Sequence, residues 1–381
     1  MSGAQQWKIR AKWEKTGERK EKNRGRFFKK ACALLWLSAL TGLVLCGCNT
    51  SKGSKGSGET STQAVSESEP VSREIFAMDT YMTLSAYGEN AEKGLDAAVD
   101  EINRIDDLLS TGNSSSEIYQ LNQKGKGTVS EETGYLIQRS KELYESTGGV
   151  FDITVYPVMK AWGFTTGDYR IPGKTELKKL LSNMGADRIQ YDEKKQEVTL
   201  KSGTEIDLGG IGKGYTSSRV MEIFREYGIE NAVISLGGNV QALNDKPDGS
   251  AWKVAVEDPE DTSNYLGILS VKNKAVITSG GYERYFEKNG KTYHHIIDPS
   301  TGYPADSGLT SVTIVSEDGT LADGLSTSLF IMGSEKAKNY WKKHSEEFDA
   351  ILVKKDGTIQ VTEGIANDFS SDSKVTVIKK K

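Results

Sequence analysis

The sequence predicts an α+β fold of mostly antiparallel sheets flanked by helices. In the second half of the chain, strand-like runs follow one another with only turn residues between them, such as Asn273 and KNGK at 288–291. Short turns join antiparallel strands, whereas parallel strands need a longer crossover, usually a helix. Amphipathic segments, mainly in the first half of the chain, predict the flanking helices. The consecutive strand-like runs span 252–257, 265–271, 274–278, 282–287 and 309–315.

The other elements follow from local periodicity. EIFAMDTYMTLSAYG, near the start of the globular part, predicts a strand. Segment 91–109 places apolar residues three and four positions apart, the spacing of one helical face: Leu95, Ala98, Ile102, Ile105 and Leu109. Further helices are predicted at 131–146, 174–184, 213–227 and 335–346, and further strands at 196–201, 204–208 and 231–236.

The first 48 residues have the order of a bacterial export signal. Residues 1–30 contain eleven Lys or Arg and three Glu, and residues 31–48 are uncharged. A basic segment, an apolar segment and small residues before a cysteine are typical of such signals. Leu45, Cys46, Gly47 and Cys48 resemble a lipobox, which predicts cleavage and lipidation at Cys48. An uncleaved anchor is the alternative, because about 18 apolar residues approach the length that spans a bilayer.

Composition excludes several function classes. The three cysteines, Cys32, Cys46 and Cys48, precede residue 49, so the body has no disulfide framework, thiol nucleophile or cysteine zinc site. Residues 49–72, rich in Ser, Gly, Thr, Glu and Lys, predict a flexible linker, and the globular body is expected from residue 73 onward. Residues 31–381 carry a net charge of about −12, which argues against nucleic acid as a partner.

The glycine-rich segment EIDLGGIGKGYTSSRV, 205–220, is the first candidate binding site. It leads from a predicted strand into a predicted helix, whose first N–H groups favour a phosphate. A Walker A loop would need Gly at Asp207 and Ser or Thr at Gly214, and a dinucleotide fingerprint would need Gly at Tyr215. Both named loops are therefore excluded, which leaves a phosphate site of another kind or a structural corner.

TLADGLSTSLFIMG, 320–333, begins a predicted helix with two oxygen-bearing side chains on one face. Asp323 and Thr327 are four residues apart and therefore neighbours on a helix. A carboxylate and a hydroxyl are hard ligands suited to Mg²⁺. The alternative is that Asp323 serves as a helix cap or dipole partner.

Two of the three histidines, His294 and His295, are adjacent in KTYHHIIDPSTGYPA, 291–305. Adjacent strand residues point to opposite faces, so at most one of them is expected to face a site. The alternative is one solvated and one structural histidine. Asp152, in GGVFDITVYPVMKAWGF, has the ordinary interpretation of a turn carboxylate.

Taken in order, these motifs resemble the ApbE family of FAD:protein FMN transferases. The resemblance covers residues 73 to about 365 and is carried by MDTYMTL, LSTGNSSSEIYQLN, GGVFDITVYPV, IDLGGIGKGY, VISLGGNV, TSGGYERYF, YHHIIDPSTGYP and ADGLSTSLFIMG. It implies a two-lobed catalytic body over 73–381. It also implies Mg²⁺-dependent transfer of FMN from FAD to a Thr or Ser hydroxyl of a target flavoprotein, with release of AMP; Mn²⁺ is the other possible metal.

The resemblance also assigns residues. The backbone oxygen of Gly210, with Asp323 and Thr327, would hold the metal, and His295 would be the base that activates the acceptor hydroxyl. The residues that would line the FAD site are Met78, Val150, Phe151, Asp152, Asp207, Lys213 and Ile297. Two positions depart from the family pattern: Asp79 stands where glycine is frequent, and Gly112 where an aromatic residue often stacks on the flavin nucleotide.

The implied partners are FAD and flavoprotein subunits of membrane or exported redox complexes. The implied location is the extracytoplasmic face of a bacterial membrane, through the lipid on Cys48. Two other functions are weighed against transfer. One is hydrolysis of FAD to FMN and AMP by the same site. The other is a non-catalytic lipoprotein that captures a small ligand, for which two lobes with parallel sheets would be expected.

Overall fold

The structure is a computed structural model that describes residues 69–381. The predicted export signal, Cys48 and the predicted linker up to residue 68 lie outside the described residues. The globular part begins with a strand at Val71, two residues before the predicted boundary. Within 69–381, no helix combines the length and apolar character needed to cross a membrane.

Helices lie mainly in the first two thirds of the described chain and again near its end. In chain order they are α1 (Ala91–Leu109), α2 (Glu117–Lys124), α3 (Glu131–Ser146), α4 (Tyr156–Trp162), α5 (Lys174–Leu181), α6 (Gly212–Glu226), α7 (Gly319–Met332) and α8 (Ser334–His344). Short 3₁₀ turns occupy Ile153–Val155, Ala186–Arg188 and Glu363–Ile365.

Several helix ends carry the capping residues that satisfy free backbone groups. Ser116 Oγ accepts from Tyr119 N at 3.0 Å at the start of α2, which ends at Gly125 with φ 70°. Ser130 Oγ accepts from Thr133 N at 3.2 Å at the start of α3. Asp318 Oδ1 accepts from Leu321 N at 3.0 Å at the start of α7. Asp318 is thus the cap of α7, which leaves Asp323 free of that role.

The strands form one large sheet and three small ones. They are β1 (Val71–Ala77), β2 (Thr80–Ala86), β3 (Lys126–Thr128), β4 (Ile189–Asp192), β5 (Glu197–Leu200), β6 (Ala232–Leu236), β7 (Asn239–Leu243), β8 (Trp252–Glu257), β9 (Tyr265–Val271), β10 (Ala275–Gly280), β11 (Tyr285–Lys288), β12 (Lys291–His294), β13 (Leu309–Ser316), β14 (Asp349–Lys354), β15 (Ile359–Thr362), β16 (Phe369–Ser370) and β17 (Val375–Ile378).

The large sheet has nine strands in the order β1-β2-β6-β7-β10-β13-β14-β15-β17. Among the described strands, the β15–β17 pair is parallel and every other pair is antiparallel. The three small sheets are β16-β9-β8, β3-β5-β4 and the hairpin β11-β12. The predicted fold class, α+β with mostly antiparallel sheets flanked by helices, is confirmed.

The predicted strand at 204–208 is wrong. Ile206 and Leu208 are buried there, as a strand pattern suggests, but their backbone joins no ladder. The side chain of Asn122 pairs with both backbone groups of Ile206. Its Oδ1 accepts from Ile206 N and its Nδ2 donates to Ile206 O, each at 2.8 Å. Asp207 N donates to Ile153 O at 2.9 Å. Side-chain and loop groups therefore satisfy this extended segment.

Helices α6 and α7 cross next to the large sheet, and this crossing positions the site. The backbones meet at Gly214 and Gly319: a Cβ on Gly214 would collide with Gly319 O, and one on Gly319 would lie 2.7 Å from Gly214 O. Glycine at both positions permits this close approach. As a result, the first turn of α6 faces the second turn of α7, which carries Asp323.

Candidate active site

Asp323 is a buried carboxylate shared between two helices and the sheet. Its side chain is on α7, and the residue is 5% exposed. Oδ2 accepts from Gly214 N in the first turn of α6 at 2.8 Å, and Oδ1 accepts from Asn239 Nδ2 at the start of β7 at 3.1 Å. Each oxygen retains a further lone pair, so the group can still ligate a cation.

Thr327 lies one helical turn after Asp323 and faces the end of β10. Its hydroxyl lies 3.2 Å from Ser279 Oγ, which is also 2.7 Å from Ser326 Oγ. Three hydroxyl groups therefore meet here, and Ser326 Oγ also donates to the backbone oxygen of Asp323 at 2.8 Å. The predicted pair Asp323 and Thr327 comes with two further oxygens, those of Ser279 and Ser326, to which the sequence pattern assigns no role.

The ring of Phe151 packs between Gly210 and α7, the helix that carries Asp323. A Cβ on Gly210 would lie 3.3 Å from Phe151 Cε2, and a Cβ on Gly324 would lie 3.5 Å from the same atom. Phe151 is 4% exposed and fills the space between the two backbones. The structure thus places Gly210 one side chain away from the residue that follows Asp323.

The donor set fits a hard divalent cation. Within residues 69–381, no group of three or more His, Cys, Asp or Glu side chains could hold a metal ion. The candidate site instead combines one carboxylate, hydroxyl groups and a backbone carbonyl, the oxygen ligands that Mg²⁺ and Mn²⁺ accept. Such a site provides few charges of its own and suits a metal that also binds substrate phosphates.

Lys213 interacts electrostatically with two buried acids, Asp207 and Glu283. Burial raises the pKa of Asp207, an effect that the positive charges of Arg284 and Lys213 oppose. Burial also raises the pKa of Glu283 to about 7, and Lys213 opposes this rise, while the charges of Glu257 and Asp323 add to it. Lys213 is therefore within electrostatic range of both acids.

The two adjacent histidines have opposite tautomers and different surroundings. His294 Nε2 is 3.0 Å from Ala305 O, and its ring packs edge-on against Phe330. His295 Nδ1 is 3.2 Å from Arg284 O, and its ring packs edge-on against Phe164. A carbonyl oxygen can only accept, so neutral His294 carries its proton on Nε2 and neutral His295 carries it on Nδ1. His295 Nε2 is therefore left as an unprotonated base.

Burial lowers the pKa of His295 well below its usual range, and the nearby positive charge of Arg284 adds to this effect. His295 is thus neutral at physiological pH, as a proton acceptor must be. Burial also lowers the pKa of His294, whose Nδ1 is buried without a hydrogen-bond partner among the described residues. His294 is the structural histidine of the pair.

The predicted FAD-lining residues lie in different surroundings in the structure. Met78 is half-buried; its N donates to Asp106 Oδ2 at 2.8 Å and its sulfur lies 3.7 Å from Thr216 Oγ1 on α6. Val150 is half-exposed beside Phe151. Met78 therefore contacts the helix that carries Lys213, and the Val150–Phe151 segment reaches the helix that carries Asp323.

Asp152 and Ile297 have structural contacts of their own. Asp152 Oδ1 accepts from Thr154 N at 2.8 Å and from Thr154 Oγ1 at 2.6 Å, which is the turn-carboxylate role. Ile297 is 5% exposed, and its side chain belongs to the apolar cluster of Trp162 and Phe286. The Ile297 side chain thus packs into the core, so a ligand could meet this residue only through its backbone.

Sequence reasoning missed Glu283, Asn239, Ser279 and Ser326. All four lie in motifs that carry the family resemblance, VISLGGNV, TSGGYERYF and ADGLSTSLFIMG. No spacing rule singles them out, because Asn239 contacts Asp323 from 84 residues away and Ser279 contacts Thr327 from 48 residues away. The one signal in the sequence was that these motifs contain polar residues. Only the family resemblance indicates that those residues are functional.

Asp79 occupies a strained turn between β1 and β2. Met78 and Asp79 have φ of 48° and 58°, and they form the two-residue loop between the paired residues Ala77 and Thr80. Such loops favour glycine or asparagine, because other side chains rarely adopt positive φ. At Gly112, in contrast, the nearest atom to an added Cβ is Ser110 Oγ at 3.8 Å, so a larger residue has room there.

Replacing Asp79 with glycine should stabilise the protein. We expect Asp79→Gly to raise the free energy of unfolding by about 0.5–1 kcal/mol, since relief of the left-handed backbone outweighs the entropy that glycine adds to the unfolded chain. Urea denaturation provides the measurement. Asp79→Ala is the matched control, because it removes the carboxylate but keeps the Cβ, and it should give no gain. Equal stabilisation by both variants would assign the effect to charge instead.

A mostly antiparallel nine-stranded sheet, with a buried carboxylate bonded to the start of β7 and hydroxyl groups at the end of β10, indicates an enzyme. The described residues do not form the two parallel-sheet lobes expected of a ligand-capturing lipoprotein. The ApbE family model matches residues 78–352, and the chain belongs to the ApbE family.

Relatives and solved structures agree with this assignment. The chain is 35% identical over 263 residues to the FAD:protein FMN transferase of Klebsiella pneumoniae (strain 342). The matched region covers 68% of this chain and 81% of that protein. The crystal structure of the ApbE protein of Thermotoga maritima is similar, with a TM-score of 0.75, 34% identity and coverage of 79% of this chain and 99% of that chain. The structure of a mutant of the flavin transferase ApbE from Vibrio cholerae gives a TM-score of 0.71 and 25% identity, covering 79% of this chain and 100% of that one. The predicted family and the prediction of an enzyme are confirmed.

Proposed function

We propose that this protein transfers the FMN part of FAD to a Thr or Ser hydroxyl of a target flavoprotein and releases AMP, with Mg²⁺ as the working metal. The observation that carries the proposal is the position of Asp323. Its buried carboxylate accepts from Gly214 N in the first turn of α6, one helical turn before Thr327, and the ring of Phe151 separates Gly210 from the next residue, Gly324. The names of the relatives, FAD:protein FMN transferase, supply the substrate class.

The pyrophosphate of FAD would lie at the first turn of α6. Gly212 N already donates to Leu208 O at 2.8 Å, and Gly214 N donates to Asp323. The phosphate contacts of this turn therefore come from Lys213, whose ammonium group is a point charge suited to phosphate. A metal held by Gly210 O, Asp323 and Thr327 would neutralise charge on the phosphates and on the departing AMP.

His295 would act on the acceptor rather than on FAD. A serine or threonine hydroxyl is a weak nucleophile at neutral pH and needs a base within hydrogen-bond reach. The hydroxyl oxygen forms a bond to the FMN-side phosphorus, the bond from that phosphorus to the AMP-side oxygen breaks, and the hydroxyl proton passes to His295 Nε2. The hydrogen bond from Nδ1 to Arg284 O keeps Nε2 unprotonated for this purpose.

We further propose that the protein acts at the outer face of a bacterial membrane, tethered through a lipid on Cys48. The support is the order of charge, apolar run and cysteine in residues 1–48, followed by a tether of low apolar content. The acceptors would then be flavoprotein subunits of membrane or exported redox complexes. More than one acyl chain on a single residue gives stable anchoring, whereas one short chain does not.

Intact-mass measurement tests the proposed reaction. The full-length chain in mild detergent is incubated with FAD, MgCl₂ and a purified flavoprotein subunit, and both the subunit and the nucleotide products are analysed. We expect the subunit to gain one FMN unit, with AMP formed in equal amount and neither product formed in EDTA. Release of AMP without any mass gain on the subunit would instead identify the protein as an FAD hydrolase.

A further inference from the structure

Glu283 is a carboxylate of the candidate site that has no partner of its own. It lies in the turn that follows β10, where its N donates to Gly280 O at 3.4 Å. Within residues 69–381, its side chain makes no hydrogen bond and no ion pair. The residue is half-buried, and burial raises its pKa to about 7. A secluded carboxyl group without a protein partner indicates that its partner is a ligand.

The turn that carries Glu283 joins the hydroxyl groups beside α7 to the predicted base. Before the turn, Ser279 Oγ lies 3.2 Å from Thr327 Oγ1. After the turn, Arg284 O accepts from His295 N at 3.0 Å and lies 3.2 Å from His295 Nδ1. Glu283 therefore lies on the short segment between a predicted metal ligand and the predicted base, beside the place where the phosphates of FAD would react.

The charges around Glu283 leave this part of the site negative. The charged groups within electrostatic range of Glu283 are Lys213 on α6, Glu257 on β8, Asp323 on α7 and Arg284. Lys213 and Arg284 also act on Asp207. When all of these groups are ionised, four carboxylates and two cations give a net charge of −2. Such a site repels a diphosphate and attracts a divalent cation.

We propose that Glu283 sets the order of binding: its negative charge attracts the divalent cation and repels the diphosphate of FAD, so that the cation binds before FAD. This inference rests on the proposed function, because it takes FAD and a divalent cation as the ligands. A cation held next to Asp323 brings two positive charges, which cancel the net charge of the group. The phosphates can then approach Lys213 without net repulsion.

This order of binding has a consequence for the reaction. FAD bound without the cation would occupy Lys213 but would lack the charge that stabilises the departing AMP. Repulsion by Glu283 keeps FAD out of the cation-free site. The FAD that does bind is therefore FAD that can react.

Binding measurements on Glu283→Gln test the proposal, since glutamine keeps the size of the side chain and removes its charge. The full-length chain in mild detergent is studied above the pKa of Glu283, which is about 7. FAD binding is followed by fluorescence in EDTA, and Mn²⁺ binding by electron paramagnetic resonance in the absence of FAD. Compared with the wild type, we expect FAD to bind about 3- to 10-fold more tightly and Mn²⁺ about 3- to 10-fold more weakly.

Glu287→Gln is the matched control for loss of a glutamate charge. Glu287 is exposed and lies on β11, the strand that follows the turn. Its replacement should change neither affinity by more than about twofold, because water and salt screen an exposed charge. Thermal melting establishes that each variant is folded. If Glu283→Gln is not folded, Glu283→Ala replaces it, with the same two expected shifts.

The two affinities must shift in opposite directions, because damage to the site would weaken the binding of both ligands. Unchanged or weaker FAD binding by the folded Glu283 variant in EDTA would overturn the proposal, and so would unchanged or tighter Mn²⁺ binding. A wild-type enzyme that binds FAD neither in EDTA nor with Mn²⁺ is a different result. It rejects FAD as the substrate, and the proposed function with it.

Discussion

Asp323→Asn should reduce FMN transfer by about 10³-fold or more, since loss of a metal-binding charge removes several kcal/mol of transition-state stabilisation. The substitution keeps the shape of the side chain, and its amide oxygen can still accept from Gly214 N or Asn239 Nδ2. The fold should therefore persist while the affinity for the cation falls. The measurement is the initial rate of mass gain on the acceptor subunit across a range of MgCl₂ concentrations.

Asp318→Asn is the matched control on the same helix. Asp318 caps α7 through Leu321 N and lies one residue before the first turn, five positions from Asp323. Asparagine caps helices about as well as aspartate, so this variant should retain transfer and most of its stability. Wild-type transfer by Asp323→Asn, with the same dependence on MgCl₂, would contradict the assignment of Asp323, Thr327 and Gly210 to one cation.

The elements that sequence could predict are those with a strong local period. Helix α1 coincides with the predicted 91–109 and α3 with 131–146, because each places one apolar stripe against the core. Helix α7 has no such stripe, since most of its residues are buried on all sides. Its start was predicted within the segment 320–333, and Asp323 and Thr327 were placed on one face of that helix. Strands β14, β15 and β17 are short runs whose period does not distinguish strand from helix.

The failure at 204–208 has a physical cause that local reasoning cannot detect. Ile206 and Leu208 are buried as in a strand, but the partner of this backbone is the side chain of Asn122, which lies 84 residues earlier. A side chain that pairs with backbone N–H and C=O groups takes the place of a neighbouring strand, so no backbone hydrogen bond is lost. The strand prediction was therefore correct about which side chains are buried, but wrong about the hydrogen-bond partner of the backbone.

Candidate site residues could be named from the sequence, but their contacts could not. Asp323, Thr327 and Gly210 were named from residue chemistry and family resemblance, and their shared metal role stays a prediction; the structure places Asp323 against α6, Thr327 beside Ser279 and Gly210 against Phe151. The hydrogen bond from Asn239 and the raised pKa of Glu283 depend on which segments meet in the fold. Such long-range contacts leave no periodic signal in a single sequence.

His295→Ala should lower FMN transfer by about 10²- to 10⁴-fold, the usual contribution of a positioned general base. Its Nε2 is the unprotonated nitrogen, because Nδ1 donates to Arg284 O. Burial holds the pKa of His295 well below its usual range, which favours the neutral base. Protonation of His295 should therefore cause no loss of rate as the pH falls through the ordinary histidine pKa of about 6.5, and should lower the rate only as the pH approaches its own lowered pKa.

His294→Gln is the matched control, since glutamine can also donate to Ala305 O and the neighbouring histidine remains in place. Its transfer rate should stay within about threefold of the wild type, because His294 acts by packing against Phe330 rather than on the acceptor. Addition of imidazole should partly restore the rate of His295→Ala, and the FAD affinity of that variant should be unchanged. Equal losses in both histidine variants, without rescue by imidazole, would show that the pair supports the fold and that the proton of the acceptor hydroxyl leaves by another route.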